Sequence, residues 1–502
     1  MFRRISHSSG VLDEGEILFS TPFDYLFPDA ARSPLCLLPA APSTVAALRQ
    51  LGELMADPGD PSDPMSGAFD SSIPAAFTYF GQFVDHDITA RTDRNTAVST
   101  IGASVLVSPQ SPDVVVRDLR NGRRPQLDLD SVFGDGPSLA GSAVPSQTQS
   151  SDLYGPQLEL NCFEQGGRVD LPRQDRVAKI ADMRNDENVI IGQLQTAMLK
   201  FYNAILQKQQ GGKEQKHVRA RQLARWAYQF VVVNDFLPRI CDEGIVRDTL
   251  ANGPRFFGAA AGRGASFMPL EFSVAAYRYG HSMIRPFYEL NEESGQILIR
   301  DLLGTSGNAE NFFPDGQLAT KRIVDWERFA GEGKHLQHAR KIDTKIARGL
   351  FMLPFADRSA DPVLRHLAQS NLLRGYSLSL PTAQAMCDGF GILPLSAAQL
   401  RGGEDGAIAD LLQSSGFDER TPLWYYVLRE AAVQQNGARL GELGSRIVCE
   451  TLIGLLKQDP NSYLNNRADP AVDADKIDVN PAFGGNVRSL KSLLKFAGVL
   501  NP

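Results

Sequence analysis

No stretch of the chain approaches the roughly 18 consecutive apolar residues that a membrane-spanning helix needs. Basic residues are in deficit: 51 Lys and Arg against 58 Asp and Glu leave a formal net charge of −7, so there is no electrostatic footprint for nucleic acid or an anionic membrane. Cysteine is sparse. The five thiols (Cys36, Cys162, Cys241, Cys387, Cys449) are odd in number, far apart and never in a C-x-x-C pair, so neither a disulfide framework nor a thiolate metal site is suggested and buried reduced thiols are expected. The N-terminus MFRRISHSSG is basic but lacks an apolar stretch behind it, so no classical export signal is read and the expected compartment is the cytoplasm or a non-classical secretory route. Repeats, heptads, low-complexity tracts and Gly/Ser linkers are also missing.

What remains is an ordinary globular composition, 43% hydrophobic and 22% charged over 502 residues, with ample material for a large core. Residues 1–65 are rich in Pro, Ser, Asp and Gly, with one helical-looking piece at Ser43–Met55, and read as an arm packed on the body. Residues 66–502 read as one catalytic domain. Between 90 and 182 the chain is broken by Gly, Pro and Asp, which predicts long ordered loops with short strands. Apolar residues at three-and-four spacing predict helices over 187–210, 217–236, 361–376, 422–435 and 442–457. The expected fold class is mainly α with little β.

Histidine is scarce enough to weigh residue by residue. Of seven, His7, His217, His335, His338 and His366 lie in polar, helix-surface-like or terminal settings and read as solvated or capping. His86 lies among Phe77, Tyr79, Phe80, Phe83, Val84 and Ile88, yet brings Gln82 and Asp85 with it. At helical spacing these three share one edge, while Asp87, about 200° around the axis from Asp85, points elsewhere. Alone, such a histidine is ordinarily a satisfied core residue. His281 follows Gly280, whose missing side chain lets a flat group approach the backbone, and Asn371 is the candidate partner for its second ring nitrogen.

In order, Gly81-Gln82-Phe83-Val84-Asp85-His86-Asp87, Met183-Arg184-Asn185-Asp186-Glu187, Tyr277-Arg278-Tyr279-Gly280-His281 and Asn371-Leu372-Leu373-Arg374 resemble the animal-type haem peroxidases of the peroxidase–cyclooxygenase superfamily, in a bacterial-type form. The resemblance implies a large single-domain haem peroxidase fold, haem b as cofactor, and hydrogen peroxide as substrate, reduced at the expense of small organic donors, halide or thiocyanate. His86 would be the distal acid/base and Arg184 the distal arginine. Gln82 would border the distal cavity. His281 would be the proximal iron ligand, hydrogen-bonded to Asn371, and Arg374 would pair with a haem propionate. Asp85 and Glu187 would carry ester links to haem methyl groups. These roles make chemical sense. A histidine titrates near neutrality and can move the peroxide proton, a permanent cation can stabilise the departing oxygen, and a neutral imidazole is the iron ligand peroxidases use. Without the other motifs, Arg184 and Glu187 would read as an i,i+3 ion pair. Asn188 stands where the sulfonium-linked member has Met, so no third link and no strong chloride oxidation are expected.

The same resemblance implies calcium bound by Asp87 with the loop Arg124-Pro125-Gln126-Leu127-Asp128-Leu129-Asp130, in which Asp128 and Asp130 alternate toward one side and Arg124 and Gln126 offer only carbonyls. Carboxylates and carbonyls suit a hard cation; an acidic surface turn is the competing reading. Three other functions compete with the peroxidase. A fatty-acid dioxygenase of the superfamily would carry Tyr three residues before the proximal histidine, where this chain has Arg278, with Tyr277 and Tyr279 turned away by about 100° each on an α-helix. A non-enzymatic calcium- or haem-binding matrix protein would have lost His86 or Arg184. A catalase would use a tyrosinate on the iron.

Overall fold

The computed structural model describes residues 3–5, 11–14, 21–58, 67–89, 91–93, 108–121, 123, 125–134, 157–158, 160–162, 169–258, 267–354, 362–480 and 485–501. The apolar three-and-four spacing becomes a set of long helices: α1 Pro42–Leu54, α2 Ala76–Ile88, α3 Val189–Lys208, α4 Lys213–Val231, α5 Leu367–Ser377, α6 Leu423–Gln435 and α7 Glu442–Gln458. Their ends follow local chemistry. Pro42 opens α1, where its missing N–H costs nothing. Asn188 caps α3 by accepting a hydrogen bond from the Ile191 amide at 2.9 Å, and α6 stops where Asn436 turns left-handed at φ 50°.

The expected helix over 217–236 is not α throughout: Val232–Phe236 is a π turn. A wider turn shifts the side chains that follow, and here Phe236 is seated against Gly81 of α2, where a Cβ would lie 3.2 Å from the ring.

The protein is a single, mainly α domain with α2 at its centre. Every residue of α2 except Gln82 is buried, with Phe80 and Phe83 edge-on to Tyr228 of α4. Helix α1 crosses α5 so closely that a Cβ on Gly52 would come within 2.8 Å of the Gln369 amide, a position only glycine satisfies.

Strand content is small. One six-stranded sheet has the order Met268–Pro269, Thr21–Asp24, Leu119–Asn121, Arg91–Asp93, Arg3–Ile5, Val11–Glu14, the first pair parallel and the rest antiparallel. Within the N-terminal segment, Phe23 pairs with Met268, and the Tyr25 hydroxyl donates to Leu378 O at 2.6 Å. Within 90–182 the described parts are short strands as expected, together with two helices the sequence pattern did not announce, Pro112–Asp118 and Asp130–Phe133.

Of the five histidines read as solvated or capping, His366 does cap α5, its Nδ1 accepting from the Gln369 amide at 3.3 Å. His217 is not solvated. It is buried and hydrogen-bonded to the Tyr202 hydroxyl at 2.7 Å. His7 lies outside the described residues.

Candidate active site

Helix α2 and the 3-10 turn Met183–Asp186 meet at the residues that the sequence singles out. His86 is wholly buried. Its Nδ1 lies 2.7 Å from Asn185 Oδ1, and the Asn185 amide nitrogen is committed to Gln195 Oε1 at 2.9 Å. The oxygen facing the ring is an acceptor, so Nδ1 carries the proton and Nε2 keeps the lone pair in the neutral imidazole. Nε2 lies 3.5 Å from Glu187 Oε1. Gln82 donates to that same oxygen at 2.6 Å and accepts from Asn188 Nδ2 at 3.1 Å. Asn188 thus starts α3 and orients Gln82.

Arg184 is brought beside His86, but not as a free cation. Its Nη2 donates to the His86 carbonyl at 2.8 Å, and its Nε and Nη2 donate to the two oxygens of Asp182 at 3.0 and 2.7 Å. Burial pushes the Asp182 carboxyl up, but Arg184 and Arg123 overcome this and hold it well below the usual carboxylate range.

Opposite α2 stands the segment ending in His281. The sequence pattern implies a plain α-helix; the backbone is instead a π turn over Glu271–Ala275 followed by a 3-10 turn over Ala276–His281. The His281 Nδ1 is 2.8 Å from the side-chain Nδ2 of Asn371 on α5; an amide nitrogen only donates, so in this placement Nδ1 accepts, and Nε2 becomes a ligand nitrogen when the Asn371 amide presents its oxygen to Nδ1 instead. A Cβ on Gly280 would meet nothing within 4 Å, the cradle that a flat group requires. The Trp424 ring lies 6.4 Å from His281 and its indole N–H donates to the Arg278 carbonyl at 3.1 Å.

Between these two walls lies a cavity enclosing about 1150 Å³ of space, part of it open to solvent. Gln82, Asp85, Glu187, His281, Asn371 and Arg374 all line it, with an aliphatic wall of Ile284, Ile299, Leu303, Leu350, Leu353 and Leu367. His86 and Arg184 sit just behind Gln82 and Glu187. The side-chain directions expected for Tyr277 and Tyr279 on an α-helix do not hold here. In a 3-10 turn each residue steps about 120° and i,i+3 positions eclipse, so Arg278 shares the side of His281, yet Tyr277 and Tyr279 both border the cavity. The Arg278 side chain turns back to the Ser273 carbonyl at 2.9 Å.

Of the residues that the resemblance assigns to calcium, Asp87 lies on α2 and Gln126, Asp128 and Asp130 on the loop hydrogen-bonded to it. Among the described residues no three carboxylate, histidine or cysteine side chains converge on a metal position, and Arg124 lies outside the described residues. Asp87 accepts from the Leu129 amide at 3.1 Å and from the Ser131 amide and hydroxyl at 3.1 and 3.0 Å. Its pKa is raised to about 6 by burial, against the Ser131 hydrogen bond. Asp128 accepts from the Asp130 amide at 3.3 Å, and the carbonyls of Gln126 and Leu127 accept from Gln229 at 3.4 and 3.1 Å. Leu127 and Leu129, at φ 53° and 63°, are in the left-handed region, a strained backbone that the bonds of the loop to Asp87 and Gln229 hold in place.

The model of the family described as animal haem peroxidase matches residues 64–394. A peroxidase-like protein of Margaritifera margaritifera is 23% identical over 325 residues, which is 53% of this chain and 39% of that protein. The match therefore spans well under half of that relative's length. Among solved structures, peroxidase A from Dictyostelium discoideum superposes with a TM-score of 0.61 at 14% identity, covering 98% of this chain and 99% of its own. The fatty acid alpha-dioxygenases of Oryza sativa and Arabidopsis thaliana give TM-scores of 0.58 and 0.59, each at 14% identity, over 95% of this chain and 77% and 74% of theirs. These structural likenesses carry the fold alone, and it is the match over residues 64–394, spanning both cavity walls, that carries membership: the chain belongs to the animal haem peroxidase family.

Proposed function

We propose that the protein is a haem peroxidase that reduces hydrogen peroxide to water and oxidises small organic donors, halide or thiocyanate. The observation that carries this reading is that His281, in contact with Asn371, borders a cavity also lined by Gln82 and Glu187, and that Glu187 in turn lies 3.5 Å from Nε2 of His86, which Asn185 fixes from the far side of its ring. Haem bound there would supply an iron that takes up two oxidising equivalents from peroxide. His281 would ligate through Nε2, and Arg374 would meet a propionate. His86 Nε2, the basic nitrogen, would take a proton from the nearer peroxide oxygen and return it to the departing one. Gln82 and Glu187, joined at 2.6 Å, stand between His86 and the cavity and would control which small molecules reach it. Arg184, shared with Asp182, would act chiefly by fixing the His86 carbonyl, and so the ring above it. Asp85 and Glu187 both border the cavity, which suits ester attachment. Retention of His86 and Arg184 argues against a decayed, non-enzymatic binding module.

A fatty-acid dioxygenase is the second reading, favoured by Tyr277 and Tyr279 at the cavity and by its aliphatic wall. The test is to load the purified protein with haem and mix it with peroxide and guaiacol in one cell, and with palmitate and dioxygen in another. Peroxide-dependent guaiacol oxidation that is lost in His86→Ala supports the proposal. Palmitate-dependent oxygen uptake that is lost in Tyr277→Phe would replace it with the second reading.

A further inference from the structure

Arg123 has no place in the chemistry above, yet it is a fully buried cation in contact with it. Its guanidinium donates to Asp182 Oδ2 at 2.5 Å and to the Asp130 carbonyl at 3.2 Å. Asp182 holds Arg184, and Arg184 holds the His86 carbonyl. On the other side, Asp130 opens the short helix whose Ser131 holds Asp87, the residue after His86. The main chain of Arg123 is tied to the same helix again: its amide donates to Asn121 Oδ1 at 3.1 Å, and Asn121 Nδ2 donates to the Ile88 carbonyl at 2.7 Å. The contacts close into a ring from His86 through Arg184, Asp182, Arg123, the 129–131 loop and Asp87 back to α2.

We infer that Arg123 is a positioning residue for the distal side of the cavity, an internal cation that locks α2, the 126–131 loop and the Arg184 turn to one another. Across this junction the ties that the structure shows are the Arg123 guanidinium and the hydrogen bonds of the 129–131 segment. Two buried arginines share one carboxylate, Asp182. Removing Arg123 leaves Asp182 to Arg184 alone and frees the 129–131 loop from the turn. Each half then moves without the other, and buried charged groups left without partners make such a rearrangement costly.

This inference rests on the peroxidase reading only for its effect on ligands, so two arms are needed. In the full-length protein without haem, Arg123→Gln should raise amide hydrogen exchange together in 82–89, 127–134 and 182–187, and Arg123→Lys should restore most of the protection. In the haem-loaded protein, Arg123→Gln should leave haem stoichiometry and the position of the main absorbance band unchanged while weakening cyanide binding about tenfold, with Arg123→Lys within about threefold of wild type. Faster exchange confined to 127–134, or equal cyanide affinity in all three proteins, overturns the inference. So does reproduction of the Arg123→Gln exchange pattern by dialysing the wild type against EGTA, which would make a divalent cation the tie. If Arg123→Gln does not fold, Asp182→Asn removes the same link, and failure to open all three segments overturns the inference equally. A protein that binds no haem sinks the peroxidase reading and leaves the exchange arm standing.

Discussion

The Asn185 side-chain oxygen sits 2.7 Å from His86 Nδ1 while the same amide is fixed from behind by Gln195. Asn185→Leu keeps the volume but removes the acceptor, so the ring loses both its tautomer and its orientation. The expected outcome is about a hundredfold slower reaction with peroxide, measured by stopped-flow absorbance, at unchanged haem content. Asn185→Asp, which retains an oxygen, should recover most of the rate. Equal rates for Asn185→Leu and wild type would show that His86 needs no such partner.

On the opposite wall, His281→Ala should abolish the histidine-ligated spectrum even where haem is retained by the cavity. Asn371→Ala leaves the ligand but removes its support, and should weaken haem binding about ten- to hundredfold. Haem titration followed by absorbance separates the two, and a His281→Ala protein with an unaltered spectrum would place the ligand elsewhere.

The ester proposal has its own check. Acidified organic solvent should leave haem on the wild type after turnover with peroxide and release it from the Asp85→Asn/Glu187→Gln double variant. Each single variant should retain a partial attachment, read as intact-protein mass. Complete extraction from the wild type removes the ester claim and leaves the peroxidase proposal untouched.

Glu271 gives a stability prediction with a defined sign. Burial, opposed by hydrogen bonds from Leu26 and other amides, raises its pKa from 4.5 to about 7. A raised folded-state value means that the native protein holds the proton more tightly than the unfolded chain. The resulting stabilisation is complete below the unfolded value of about 4.5 and is lost as pH rises through about 7. Relative to Glu271→Gln, which does not titrate, the wild type should lose about 3 kcal/mol between pH 4 and pH 8. Urea midpoints for the two proteins at several pH values provide the measurement, and a constant difference across that range would contradict it.

The residues proposed to carry chemistry are legible because each is unusual for its setting: a histidine in an aromatic helix, a histidine after glycine, an asparagine on a buried helix face. Their supports were less visible. Asp182 stands two residues before Arg184 with nothing in its spacing to show that it takes the guanidinium out of the cavity. Asn185 lies inside the motif and has no periodicity of its own. Around Asp87 the acidic pattern points to calcium, while the bonds from the Ser131 amide to Asp87 and from Arg123 to the Asp130 carbonyl have no signal in its spacing. The π and 3-10 turns before His281 contain no proline or glycine break until Gly280, so periodicity read the segment as plain α-helix and assigned the tyrosines the wrong directions. Helix Pro112–Asp118 was missed because three consecutive valines favour a strand by propensity.

The hydrogen bonds from the Leu26 amide to both oxygens of Glu271 join residues 245 positions apart. A ribosome adding about 5–20 residues per second needs about 10–50 s to bridge that distance. For all of that time Phe23, Tyr25 and Leu26, buried in the finished protein, have no site to enter. The segment around Leu26 is therefore seated only after the segment leading to His281 has emerged, and until then the nascent chain presents an apolar stretch for chaperones to bind.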